Sequence, residues 1–156
     1  MPLYTQPPVR VLAASASAVS GSADTNENTL ATVTIPAGIM GINGILRITS
    51  AWTFTGSANS KTWRVKFGSM SVQDNGTTTV GVTSIRCLTE VRNVGATNSQ
   101  KGNSYTLTFA GSLPATAPTT AAIDTTAAVT LLLTGQKGLA GETLTLDSYL
   151  VELIIP

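Results

Sequence analysis

The chain has 156 residues, of which 42% are hydrophobic and 11% charged, with a formal net charge of +1. That is the size of one domain with a real core, and so apolar a chain with so few charges is not a disordered one. Without an excess of Lys and Arg it is not suited to neutralising a phosphate backbone, and no stretch approaches the roughly twenty apolar residues of a membrane span.

Histidine is absent, which removes the commonest general base and metal ligand. Cys87 is the single cysteine, so neither a disulfide within the chain nor a thiolate metal cluster is expected. It shares alternation with Ile85 and reads as a small buried hydrophobe. The 26 Thr and 14 Ser make up about a quarter of the residues. Thr, Val and Ile are stiff at χ1 and suit a pleated surface better than a helix.

Residues 1–28 are rich in Pro, Ala, Ser and Asn with little apolar periodicity, and are expected to form an extended arm. Ala13-Ala14-Ser15-Ala16 faintly resembles a signal-peptidase site, but Val11-Leu12 is too short an apolar run, so no signal peptide is expected. Asp24-Thr25-Asn26-Glu27-Asn28 has the alternating oxygens of a calcium loop. An EF-hand needs Gly and Glu where Thr29 and Ile35 stand, so a polar hinge with Asx turns is the expectation.

From Ala31 onward the chain alternates with a two-residue period. Ala31, Val33 and Ile35 form the first such strand, ended by Pro36-Ala37-Gly38. Leu46, Ile48, Trp52 and Phe54 share one face, with Arg47, Thr49 and Thr53 on the other. Trp63, Val65 and Phe67 alternate with Thr62, Arg64 and Lys66. Asp74-Asn75-Gly76 is expected to turn a hairpin from Ser69–Gln73 into a long strand over Thr78–Asn93. Within it, Asn75-Gly76-Thr77 is a formal glycosylation sequon that reads here as a turn. Tyr105, Leu107 and Phe109 alternate with Thr106 and Thr108, and Val129, Leu131 and Leu133 with Thr130, Leu132 and Thr134. In Glu142–Ile155 the apolar residues change parity after Leu146, which predicts a bulge near Asp147-Ser148. About eight strands with Gly, Pro and Asn turns predict an all-β antiparallel sandwich over residues 29–156, an eight-stranded jelly roll.

The chemistry-bearing residues are sparse. Glycoside hydrolysis needs two acids flanking one bond, and nothing in the sequence pairs Glu90, Glu142, Asp147 or Glu152. No serine sits in a nucleophile elbow. Gly135-Gln136-Lys137-Gly138-Leu139-Ala140-Gly141 links two strands and opens no helix, so it is no phosphate cradle. No catalytic residue, cofactor or metal site is expected. Trp52 and Trp63 raise a sugar-stacking alternative, although both share parity with aliphatic neighbours. Arg47, Arg64 and Lys66 fall on the polar parity of two strands expected to be neighbours, and are the candidate basic patch for an acidic partner surface. Few charges, apolar residues on both parities of long strands and a mean hydropathy of +0.24 point to a surface covered by other subunits.

Three runs carry a resemblance: Thr32-Val33-Thr34-Ile35-Pro36-Ala37-Gly38, Gly41-Ile42-Asn43-Gly44-Ile45-Leu46-Arg47-Ile48 and Asn59-Ser60-Lys61-Thr62-Trp63-Arg64-Val65-Lys66-Phe67-Gly68. Together they resemble a pattern in small virion proteins of tailed bacteriophages, over residues 29–68. The resemblance implies a virion structural role, as a head decoration or cement protein or as part of a tail or fibre, and it transfers no catalytic or ligand residue. A compact sandwich with an arm and no shaft favours the head. The expected partners are the major capsid protein or another virion structural protein and further copies of the chain, as a trimer or dimer on the outer surface of the capsid. The alternative is a tail- or fibre-associated carbohydrate-binding module for host adhesion.

Overall fold

The computed structural model describes residues 8–78, 80–107 and 117–156. They form eleven strands: β1 (Val9–Ser15), β2 (Val19–Ser20), β3 (Asn28–Ile35), β4 (Ile45–Phe54), β5 (Ser60–Phe67), β6 (Met70–Thr78), β7 (Ser84–Asn93), β8 (Gln100–Leu107), β9 (Thr119–Ala121), β10 (Val129–Lys137) and β11 (Leu144–Ile154). There is no helix among the described residues. The larger sheet runs β1-β11-β4-β7-β8-β9, with β2 also on β11, and the smaller runs β3-β10-β5-β6. All pairings are antiparallel. The two sheets pack as a sandwich around one core.

The strand order is that of a jelly roll. Counting β1, β3, β4, β5, β6, β7, β10 and β11 as strands one to eight, the sheets read 1-8-3-6 and 2-7-4-5. The described residues thus form eleven strands where about eight were expected, and the eight of the jelly-roll order are a different set from those expected. Val9–Ser15, within the segment expected as an arm, supplies the first strand, while β8 and β9 extend the larger sheet beyond β7. Residues 9–15 show weak alternation because β1 is an edge strand with three exposed residues at its start, and its register slips between Val11 and Ala13.

Alternation fixes which side chains enter the core. Leu46, Ile48, Trp52 and Phe54 of β4 and Trp63, Val65 and Phe67 of β5 point inward and are buried, as is Cys87. The predicted bulge is present, since the β11–β4 register shifts between Leu146 and Ser148. It lets Leu144 and Leu146 share the core with Val151 and Leu153.

The hairpin expected at Asp74-Asn75-Gly76 is not a turn. Those residues continue β6, where Asp74, Asn75 and Gly76 pair with Arg64, Trp63 and Thr62. A type I′ turn needs positive φ at both central residues, and among the described residues only glycines have it. The chain reverses instead at Gly68-Ser69, where Gly68 has φ +53° and Phe67 pairs with Met70. A Cβ at Gly68 would also lie 3.2 Å from Ile123 Cδ1. The expected long strand over 78–93 is divided in two, because β6 and β7 belong to different sheets and Gly81, at φ +76°, lies in their connection. Phe109 and Thr108 lie outside the described residues.

Candidate functional site

The three cations expected as one patch do not come together. Arg47 lies on β4 and faces outward from the larger sheet, while Arg64 and Lys66 face outward from the smaller one. The two groups stand on opposite sides of the sandwich, because β4 and β5 are consecutive in sequence but belong to different sheets.

Arg64 and Lys66 share a hub at Glu27, which precedes β3 and folds over the outer face of β10. Lys66 Nζ is 2.5 Å and Arg64 Nη1 3.5 Å from the Glu27 carboxylate, and the buried hydroxyl of Thr134 donates to it. Arg64 Nε donates to Asp74 at 2.8 Å, and Arg64 Nη1 to Gln136 Oε1 at 3.1 Å. Burial opposes ionisation of Glu27, but the hydrogen bonds from Lys66 and Thr134 and the charges of Arg64 and Lys66 outweigh it and hold the carboxyl below its ordinary value. The cations are thus largely neutralised by this chain's own carboxylates. The calcium-like run resolves into an Asx turn, with Asp24 Oδ1 accepting from the Asn26 amide at 2.9 Å and from Asn28 Nδ2 at 3.4 Å. No group of three candidate ligands for a metal ion occurs among the described residues.

Arg47 sits in a different setting. Its cross-strand neighbours are Glu90 on β7 and Glu152 on β11, and its Nε donates to Glu90 Oε1 at 3.1 Å. The next outward row of the larger sheet is mostly apolar: Leu150, Thr49, Leu88 and Tyr105 are successive cross-strand partners. On the other side of Arg47 lie Ile154, Ile45, Arg92 and Lys101. Leu88, Leu150, Ile45 and Ile154 do not pack against the core. Val9 and Val11 continue the apolar character to the β1 edge, both more than half exposed. An outward sheet face normally reads as polar, whereas β11 carries apolar residues on both of its faces.

Sequence reasoning missed two buried polar clusters, one at each end of the sandwich. At one end, Lys61 and Lys137 are inward-facing cross-strand partners, and both are buried. Lys61 Nζ lies 2.6 Å from Glu142 Oε2 and donates to Ser57 Oγ and the Asn59 carbonyl. Lys137 Nζ donates to the carbonyls of Ser22 and Glu142 at 2.7 and 2.9 Å. At the other end, Asn93 Nδ2 donates to Gly41 O and Thr125 Oγ1 and its Oδ1 accepts from Gln100 Nε2, tying three connections together. Both lysines share parity with the apolar residues of their strands, a signal that a charged residue at an inward position requires enclosed partners.

The tryptophans do not form a sugar platform. Trp52 and Trp63 are 0% and 2% exposed, and Trp63 stacks on Phe54 with ring centroids 5.6 Å apart. Of the possible acid pairs, Glu90 and Glu152 flank Arg47 on an open sheet face, while Glu142 is engaged with Lys61.

No protein family matches the chain, and no curated protein does. Among solved structures it is similar to a chain in the structure of infectious bursal disease virus, Gx strain. The likeness has 14% identity and a TM-score of 0.30, covering 97% of this chain and 42% of that one. This chain therefore spans less than half the length of that viral chain.

Proposed function

We propose that the protein is a structural virion protein, a capsid decoration or cement subunit that binds and stabilises a phage head as an oligomer, with no catalytic role. The observation that carries this reading is the outer face of the larger sheet, where Leu150, Thr49, Leu88 and Tyr105 form an apolar row on central strands of a jelly roll. Such a row costs solubility in an isolated subunit and contributes binding energy in an assembly. The resemblance of residues 29–68 to small virion proteins of tailed phages supports the same reading. Many copies bridging neighbouring capsomers would be held through effective concentration even where each contact is modest.

The partners under this reading are the major capsid protein and further copies of the chain, with the outer surface of the capsid as location. The sugar-binding alternative retains Tyr105 as its exposed aromatic residue, without the stacking partners that the tryptophans would have supplied. The deciding experiment is copy number in purified particles, by gel densitometry against the major capsid protein. Hundreds of copies are expected for a head protein. A few dozen would move it to the tail, and absence from particles would overturn the virion reading.

A further inference from the structure

Two adjacent rows on the outer face of the larger sheet are complementary to themselves, and we propose that this face docks on the same surface of a second copy. This rests on the reading of that face as an assembly surface, but not on the identity of the particle. Consider a two-fold axis parallel to the strands, passing between β4 and β7 in the plane midway between the copies. It lays β4 over β7 of the second copy and β11 over its β8, with each row facing the same row. In the apolar row Thr49 then meets Leu88, and Leu150 meets Tyr105. In the charged row Arg47 meets Glu90, and the symmetry makes that pair twice.

Two of the unpaired charges, Glu152 and Lys101, follow the same pattern, while Arg92 falls opposite Ile45 of the second copy. Glu152 has no ion-pair partner among the described residues, nor have Arg92 and Lys101. Glu152 is on the β11 side of the face and Lys101 one row away on the β8 side, so the axis brings each Glu152 diagonally opposite a Lys101. Aligned sheets pack about 10 Å apart at angles near 30°, a spacing that Leu, Tyr and Arg side chains fill from both sides.

Size is consistent with a specific contact. Four strands spaced roughly 4.8 Å apart, over about eight residues rising 3.4 Å each, make a face of about 500 Å² in projection. Two such faces reach the roughly 1,000 Å² that a specific interface needs. The sheet edges are poorer docking sites, since β9 has three residues and the register of β1 is broken between Val11 and Ala13.

The test is sedimentation equilibrium of the full chain with two charge variants. Wild type is expected to form a reversible dimer. Arg47→Glu alone and Glu90→Arg alone should each weaken it by about tenfold or more, because like charges then face each other across the axis. An equimolar mixture of the two variants should recover association as heterodimers. In that mixture opposite charges meet across the interface while like charges sit side by side within each copy, so a role confined to the single chain cannot give recovery. Leu88→Asp, outside the core, should abolish the dimer while leaving the melting temperature near that of wild type. A monomeric wild type at high concentration, a mixture no better than its components, or a dimer that survives Leu88→Asp would each overturn the proposal. Copy number in particles tests the virion reading separately, so either can fail alone.

Discussion

The ammonium group of Lys61 and the carboxylate of Glu142 meet at 2.6 Å at one end of the core, with Lys61 wholly enclosed. Hydrogen bonds from Lys61, Ser57 and Asn59 lower the Glu142 carboxyl from 4.5 to about 2. A carboxyl depressed on folding contributes stability that is complete above its unfolded value and is lost as pH falls through its folded one. Unfolding by urea should therefore become easier between about pH 4.5 and pH 2. Glu27, also lowered, adds to the same acid limb. Glu142→Gln should flatten that limb and lower stability at neutral pH, because it leaves Lys61 enclosed without its counter-charge. An equally steep limb in the variant would assign the acid response to other carboxylates.

The two buried tryptophans differ in one respect that a substitution reads. Trp52 Nε1 donates to Ser50 Oγ at 2.9 Å, whereas Trp63 Nε1 meets no acceptor among the described residues. Trp52→Phe leaves the buried Ser50 hydroxyl without that donor and should cost about 1–3 kcal/mol on that account alone. Trp63→Phe deletes an unpartnered N–H and should cost less, while Trp63→Ala opens a cavity and should cost about 3–5 kcal/mol. Denaturant midpoints of the three variants check the order. Wild-type emission should be blue-shifted and unmoved by glycans.

The sandwich was legible because β5 alternates strictly and β4 and β10 do so over most of their length, and a two-residue period states which side chains are inward. The β11 bulge was legible for the same reason, since the apolar residues change parity between Leu146 and Tyr149. Two features were not. Strand β1 is half-exposed at an edge, so its sequence lacks the contrast that marks a core strand. The separation of Arg47 from Arg64 and Lys66 depends on β4 and β5 belonging to different sheets, which parity within a strand does not report. Asn75-Gly76 misled because turn preference is local, whereas the β5–β6 ladder, including the Arg64–Asp74 contact at 2.8 Å, continues through it. The apolar outer row was visible only as doubled parity in the two long runs 78–93 and 142–155, because Leu88, Thr49 and Tyr105 become neighbours only through strand pairing.

Strand β1 gives a direct test of whether the N-terminal segment is part of the fold. Leu12 and Ala13 pack against the core, and Val9–Ser15 pairs with β11. Deleting residues 1–15 should lower stability by about 1.5–3 kcal/mol, the value of burying one large aliphatic side chain. It should also raise hydrogen exchange along β11, whose outer edge would lose its ladder partner. An unchanged unfolding midpoint and unchanged exchange would describe a detachable arm.

The two separated groups of cations allow the particle-facing side to be identified. The Arg47–Glu90 pair is comparatively open and such pairs contribute little to folding, so Arg47→Gln should change stability by only about 1 kcal/mol. The double variant Arg64→Gln with Lys66→Gln instead leaves the half-buried Glu27 without its cations and should cost about 1–3 kcal/mol. Their effects on assembly should differ. If the larger sheet is occupied by a second copy, the smaller sheet is the face left for an acidic shell, and the double variant should reduce occupancy on purified particles. Arg47→Gln should instead weaken self-association and reduce occupancy only through lost avidity. Quantitative binding to stripped particles at two salt concentrations separates these effects. A direct charge contact weakens as salt screens it, whereas an avidity loss follows dimer concentration. Undiminished occupancy of the double variant would remove Arg64 and Lys66 from the particle contact.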